Sequence, residues 1–149
     1  MKVLERPATG GESFNSTSGA GRWAFVKLVE HIEGRTRLVV PKVSLEEDPP
    51  PTSPVFFNPA ASLNRDISVC MAEAAGAANF CDSMAGVGAR GVRIAKEAAR
   101  TGKVTMVDFN GEALELAKKA AALNGVAGKC EFAHSETSAY LYSRYGRET

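Results

Sequence analysis

The sequence predicts an α/β fold, the first half of a doubly wound parallel sheet, preceded by an N-terminal extension. From residue 77 onward, short apolar stretches alternate with longer amphipathic ones in the order strand, helix, strand, helix, strand. This order is typical of a parallel sheet with right-handed crossovers. A glycine-rich stretch, CDSMAGVGARG at residues 81–91, follows the first of these strands and opens a helix. Such a turn is typical of sites that hold a nucleoside cofactor.

The bulk composition excludes several classes of protein. A length of 149 residues suits one domain with a substantial core. The net charge of +1 gives no electrostatic sign of nucleic-acid binding. No apolar run is long enough to span a membrane or to form the core of a signal peptide. With only two histidines, we expect no metal centre.

The cysteines indicate the redox compartment. Cys70, Cys81 and Cys130 are odd in number, widely spaced and set in apolar stretches. This pattern predicts reduced, buried thiols in a cytoplasmic protein rather than a disulfide framework or a zinc site.

The extension divides into a lead-in and a folded part. Residues 1–22 are rich in Gly, Ser and Thr without any period, which predicts a disordered lead-in. A targeting presequence is the alternative, and the acidic Glu5 and Glu12 disfavour it. The folded part of the extension is expected over residues 23–76, and the first half of the sheet domain over residues 77–149.

Within the extension, a strand is predicted at residues 36–40, and Gly34 is expected to end the element before it. The stretch at residues 41–54 contains five of the seven prolines and therefore predicts an extended loop. The next signal is a helix start: Asn58 is suited to cap it, and Pro59 to occupy its first position. This helix should run to about Ala75.

Strands and helices alternate in the remainder of the chain, and each helix has a glycine close to its predicted end. The strands are predicted at residues 79–83, 104–109 and 129–133, and the helices at residues 88–102, 111–125 and 136–146.

The glycine-rich loop carries the main functional signal. Gly86, Gly88 and Gly91 fit the pattern G-x-G-x-x-G, and Asp108 ends the next strand 22 residues after Gly86. An acid at that place can accept hydrogen bonds from the ribose hydroxyls of an adenosine. The alternative is a tight turn between strand and helix without a ligand.

Asp82, at the end of the first strand of this sheet, discriminates between cofactors. Beside the pyrophosphate of NAD its carboxylate would be repulsive by roughly 1 kcal/mol or more. S-adenosylmethionine instead carries an ammonium and a sulfonium group, which an acid attracts. The loop therefore favours the methyl donor, and a fragment of an NAD-dependent oxidoreductase is the second hypothesis. The third hypothesis is a non-catalytic remnant or interaction module.

The sequence also resembles a known family over roughly residues 25–145. DSMAGVG is similar to the first motif of class I methyltransferases that act on exocyclic amines. Five stretches resemble, in order, those of the tRNA (guanine(26)-N2)-dimethyltransferases: EGRTRLVVP, VFFNPAASLNRDISV, FCDSMAGVGARGVRIA, VDFNGEALELAKKAAALNG and HSETSAYL. The resemblance implies a Rossmann-like class I methyltransferase fold, S-adenosylmethionine as cofactor, and dimethylation of the exocyclic N2 of guanine 26 in tRNA.

The resemblance also implies roles for individual residues around the glycine loop. Asp82, together with the loop at Ala85, Gly86 and Gly88, would hold the methionine part of the donor. Asp108 would bind the ribose.

Three further residues are implied, each with an alternative. Glu136 would lie near the adenine amino group, or it is a solvated acid in the first turn of a helix. Arg65 would approach the donor, whose carboxylate suits a guanidinium, or it pairs with Asp66 or another carboxylate. Phe57 would pack near the donor, or it is a staple onto the following helix.

Part of the family's pattern is not found in residues 1–149. The D-P-F-G-type turn after the fourth strand, which would hold the guanine amine, and the C-terminal tRNA-binding domain are absent from this sequence. Asn58-Pro59 resembles such a turn, but it precedes the first strand of the parallel sheet and lacks the aromatic residue, so capping explains it better. We therefore expect the donor-binding part of an enzyme, inactive by itself, with an open sheet edge and with tRNA contacted through other regions.

Overall fold

A hairpin followed by a parallel sheet with intervening helices makes up the structure, a computed structural model that describes residues 26–76 and 78–146. The hairpin comprises β1 (Leu28–Glu33) and β2 (Thr36–Pro41), and the parallel sheet has the order β3-β4-β5. Its strands are β3 (Asn79–Asp82), β4 (Lys103–Asp108) and β5 (Cys130–His134). The helices are α1 (Ser62–Ala75), α2 (Ala89–Glu97), α3 (Gly111–Leu123) and α4 (Thr137–Tyr145). The lead-in predicted at residues 1–22 lies outside the described residues.

The hairpin turn lies against α2. Gly34 has a φ of +58°, and Glu33 pairs with Thr36 across the turn. A Cβ on Gly34 would lie 2.6 Å from the Arg93 guanidinium, so glycine is required for its conformation and for the close approach. The predicted strand at residues 36–40 and the predicted end at Gly34 are confirmed.

The start and the end of α1 follow from local chemistry. The Asn58 side chain accepts a hydrogen bond from the Ala60 amide at 2.9 Å, and a short 3₁₀ turn, Pro59–Ala61, leads into the helix. Gly76 ends α1 in the left-handed conformation. Capping is thus confirmed as the role of Asn58. The expectation of buried thiols is wrong: Cys70 is exposed because α1 buries little of its surface, and the other two cysteines are only half-buried.

Helix α2 is shorter than predicted: it ends at Glu97, not at Gly102. The Glu97 carboxylate accepts a hydrogen bond from the Thr36 hydroxyl at 2.7 Å, and Ala98 is extended. Gly102 instead precedes β4, where its amide donates to the Ala78 carbonyl at 3.0 Å. A Cβ on Gly102 would lie 2.9 Å from that oxygen. Helix α2 thus ends at the residue, Glu97, that contacts Thr36 of the hairpin.

The extension and the parallel sheet share a hydrophobic core. One cluster joins α2 and α3 to β4, around Ile94, Val104 and Met106. A second cluster combines residues of the extension with residues of the loop, α2 and α3: Leu38, Val40, Val55, Phe57, Val87, Ala89, Ala113 and Leu116. Within residues 26–76 and 78–146, no helix has the length and apolarity needed to cross a membrane.

Replacing Gly88 by Ala should strongly destabilise the chain. Gly88 has a φ of +75°, and a Cβ there would lie 2.6 Å from the Ala117 Cβ on α3. We expect a loss of about 2 kcal/mol or more in the free energy of unfolding, measured by urea denaturation. Gly125→Ala is the matched control, because its φ is +70° and no atom lies within 4 Å of the added Cβ. Equal losses in the two variants would contradict a role for the close approach.

Candidate functional site

The carboxyl ends of the three parallel strands form one edge, where the polar residues predicted from the sequence converge. Asp82 ends β3, Asp108 ends β4, and Glu136 follows β5 by two residues. Because the strands are parallel, these ends share one side of the sheet, which is where ligands bind in open α/β folds. The glycine loop, residues 83–88, runs along this edge before α2 begins.

The glycine loop is hydrogen-bonded to the end of β4. The Ala85 amide donates to the Val107 carbonyl at 3.0 Å, and the Gly86 amide donates to Asp108 Oδ2 at 2.7 Å. Asp108 Oδ1 accepts from the Asn110 amide at 2.9 Å. Each carboxylate oxygen of Asp108 therefore holds one backbone amide and keeps further accepting capacity for a ligand.

Asp82 is buried with one oxygen unpaired. Its side chain is 3% exposed, and Oδ1 lies 3.6 Å from Arg90 Nη1. Oδ2 is buried and has no hydrogen-bond partner among the described residues. Burial raises the pKa of the Asp82 carboxyl, Arg90 and the Gly91 backbone amide partly offset this, and the nearby Asp108 charge adds to the rise. A buried carboxylate in this state is suited to accept a cationic ligand.

Arg90, on the first turn of α2, was not predicted as a site residue. Its Nη2 donates to Asn64 Oδ1 at 2.8 Å. Its Nε is buried and has no hydrogen-bond partner within the described part of the chain. Asp82 and Arg90 thus lie in ionic contact at the glycine loop, and each keeps one buried atom without a hydrogen-bond partner among the described residues. The sequence did hold a signal for Arg90 as a site residue, namely its position in GARG, directly after the glycine loop.

A cavity of about 410 Å³ opens beside Asp108. Met84 and Phe109, two of the apolar side chains on its wall, are each 78% exposed. Polar residues at the N-terminus of α4 also line the cavity. The lining residues are Met84, Asp108, Phe109, Glu136, Thr137 and Ser138. The volume and the mixed lining suit a small organic ligand.

Glu136 caps α4 and lines this cavity. Its carboxylate accepts hydrogen bonds from the amides of Ser138 at 3.0 Å and Ala139 at 2.8 Å. These backbone bonds hold the pKa of Glu136 below its usual range. The alternative role considered for Glu136 was a solvated acid in the first turn of a helix. In the structure Glu136 lies one position before that turn, at the N-cap of α4. A role near adenine stays a prediction.

The charge of Arg65 is neutralised inside the protein. Its Nε and Nη2 donate to the two carboxylate oxygens of Glu33 at 2.7 and 2.6 Å, and its guanidinium lies 5.1 Å from the Phe57 ring centre. The carboxylate partner considered as the alternative is therefore present, and it is Glu33 rather than Asp66. Phe57 is 2% exposed and belongs to the second core cluster. Contact of either residue with a donor stays a prediction.

A metal-binding cluster is not found in residues 26–76 and 78–146, where no three His, Cys, Asp or Glu side chains are grouped to hold an ion.

Comparison with known proteins gives the family. The family model for N2,N2-dimethylguanosine tRNA methyltransferase matches residues 34–148. A tRNA (guanine(26)-N(2))-dimethyltransferase of Metallosphaera sedula is 41% identical over 108 residues, which are 70% of this chain and 28% of that protein. The Methanopyrus kandleri protein of the same name is 40% identical over 110 residues, which are 74% of this chain and 28% of its own length.

Solved structures agree on the fold. Trm1 from Pyrococcus horikoshii, solved with S-adenosyl-L-methionine, superposes with a TM-score of 0.66 at 26% identity, over 78% of this chain and 33% of Trm1. An aTrm5 in complex with tRNALeu superposes with a TM-score of 0.57 at 24% identity, over 75% of this chain and 29% of aTrm5. This likeness supports the fold only. The predicted fold, part of a Rossmann-like class I methyltransferase domain, is confirmed. The chain spans about 30% of the length of these proteins, and it belongs to the N2,N2-dimethylguanosine tRNA methyltransferase family.

Proposed function

We propose that this chain is the S-adenosylmethionine-binding part of a cytoplasmic tRNA (guanine-N2)-dimethyltransferase acting on guanine 26. The observation that carries the proposal is a pair of buried atoms on oppositely charged side chains at the glycine loop, Asp82 Oδ2 and Arg90 Nε, which have no hydrogen-bond partner within residues 26–76 and 78–146. An amino-acid end offers an ammonium and a carboxylate together, so it would satisfy both groups at once. Charge-assisted hydrogen bonds of this kind are about twice as strong as neutral ones.

The methionine part would lie along the glycine loop. Its ammonium would bind Asp82, and its carboxylate would bind Arg90, whose Nε has no hydrogen-bond partner within the described residues. The guanidinium of Arg65, by contrast, is paired with Glu33. The backbone at Ala85, Gly86 and Gly88 would allow the ligand to approach closely. The same arrangement disfavours NAD, because a pyrophosphate next to the Asp82 carboxylate would be repelled.

The adenosine part would occupy the cavity beside β4. The accepting capacity left on Asp108 suits two neighbouring ribose hydroxyls. Met84 and Phe109 offer apolar surface on which an adenine ring is able to pack. Glu136 Oε2 accepts one amide and retains capacity for an exocyclic amine.

The bound donor would supply an electrophilic methyl group on a sulfonium. The lone pair of the guanine N2 forms the new C–N bond, the C–S bond breaks with its electrons returning to sulfur, and the N2 proton leaves to solvent. This chain's residues would hold the donor in place, since positioning accounts for much of the rate of such transfers. We propose that tRNA binds through regions outside residues 26–146. The groups that orient its guanine would lie in those regions too.

Isothermal titration with S-adenosylmethionine and with NAD tests the proposal. We expect heat of binding from S-adenosylmethionine, none from NAD, and a much weaker signal from an Asp108→Ala variant. If NAD gives heat of binding and S-adenosylmethionine gives none, the proposal is wrong and the chain is a fragment of an oxidoreductase. A folded chain, checked by circular dichroism, that binds neither ligand would favour the non-catalytic module instead.

A further inference from the structure

We propose that His134 and Thr137 are positioning residues that hold the two apolar walls of the adenosine cavity, Phe109 and Met84. The inference rests on the proposed function, because it assigns the cavity to the donor's adenosine. Neither residue was singled out by the sequence. His134 ends β5 and Thr137 begins α4, so the two residues flank the short connection between these elements.

His134 fixes the turn that carries Phe109. Its Nε2 is hydrogen-bonded to the Phe109 carbonyl at 2.8 Å. Its ring also lies over Gly111, where an added Cβ would be 3.1 Å from the imidazole. The neighbouring Ser135 amide donates to the Asp108 carbonyl at 3.1 Å. The turn after β4 is thus held laterally by the end of β5.

Thr137 fixes the loop that carries Met84. Its hydroxyl donates to the Ser83 carbonyl, which directly precedes Met84. Thr137 is itself fixed, because it is the first residue of α4 and Glu136 caps that helix. The loop after β3 is therefore held by the first residue of α4.

The two walls need such support because burial does not hold them. Met84 and Phe109 are each 78% exposed, so few contacts of their own restrict their side chains. Hydrogen bonds to the carbonyls beside them fix the backbone from which they project. A binding surface built on fixed backbone loses less entropy when a ligand packs against it. His134 and Thr137 therefore raise the affinity for the donor indirectly, by holding the backbone that carries Phe109 and Met84.

Matched variants separate positioning from folding. Thr137→Val keeps the shape and removes the hydroxyl, whereas Thr137→Ser keeps the hydroxyl; His134→Leu and His134→Gln form the corresponding pair. The ligands are S-adenosylmethionine and 5′-methylthioadenosine, which lacks the amino-acid end. We expect Thr137→Val and His134→Leu each to weaken both ligands about fivefold, the effect of one hydrogen bond. Ser and Gln should restore the affinity to within about twofold.

Two controls make the outcomes distinct. Asp82→Asn should weaken S-adenosylmethionine and leave 5′-methylthioadenosine unchanged. In a Phe109→Ala background, His134→Leu should have no further effect, because the wall it positions is gone. If the parent chain binds S-adenosylmethionine but Thr137→Val and His134→Leu bind both ligands normally, the inference is wrong. A persisting effect of His134→Leu without Phe109 would also overturn it. Failure of the parent chain to bind either ligand would overturn the proposed function itself.

Discussion

Asp82→Asn is expected to weaken S-adenosylmethionine binding by about a hundredfold or more. The substitution keeps the shape of a side chain that is 3% exposed and removes the negative charge that would meet the ligand's ammonium. It also leaves the Arg90 charge without its partner. Isothermal titration measures the loss. Glu115→Gln, at an exposed ion pair with Lys118 on α3, is the control and should bind normally.

The same carboxyl should make binding depend on pH. Burial raises the pKa of Asp82 in the free chain, and the ligand's ammonium binds the ionised form. Affinity should therefore fall as the pH decreases through this raised pKa, and level off above it. The Asp82→Asn variant should lack this dependence. An identical pH profile for the parent chain and the variant would refute the assignment of Asp82.

Glu33→Ala is expected to lower the free energy of unfolding by about 3–5 kcal/mol. Glu33 is 6% exposed and pairs with two buried arginines, Arg65 at 2.6 Å and Arg93 at 2.9 Å. Removing the carboxylate takes from the buried Arg65 guanidinium its partner Glu33, whereas Arg93 keeps Asp66 at 2.7 Å and Glu97 at 3.0 Å. Urea unfolding followed by circular dichroism measures the change.

Glu30→Gln is the matched control on the same strand. Glu30 pairs with Arg37 at 2.8 Å, but both side chains are 48% exposed, so the loss should stay below about 1 kcal/mol. Equal losses for Glu30 and Glu33 would contradict the importance of burial.

The contribution of Glu33 should also depend on pH. Burial tends to raise its pKa, yet the bonds from Arg65 and Arg93 outweigh burial and lower it. The stabilisation is therefore complete above the carboxyl's ordinary pKa and is lost as the pH falls through the folded value.

The sequence predicted those features that depend on neighbouring residues. Asn58 as a cap and the end of α1 at about Ala75 need only a few adjacent residues. The placement of Asp82 and Asp108 followed from their positions at the ends of parallel strands. What these two acids face was not predicted, because the partners come from other elements.

The arginines show this limit most clearly. The sequence left a carboxylate partner of Arg65 open but did not identify it, because Glu33 lies 32 residues away on β1. Arg90 was missed because it is one of several arginines in the same region, and its partner Asn64 lies 26 residues away on α1. The end of α2 was wrong for a related reason, since Thr36 of the hairpin binds Glu97. Long-range partners decided each of these cases.

Docking of the hairpin has a kinetic consequence. Thr36 meets Glu97 across 61 residues of chain, and Arg37 meets Asn124 across 87. Closing such long loops costs chain entropy before any contact compensates for it, and contacts between distant residues slow folding. The strand–helix–strand units, with shorter connections, should therefore assemble first and receive the hairpin last. Weakening the hairpin contacts would then accelerate unfolding more than it slows folding, and we expect the native chain to open first at the hairpin.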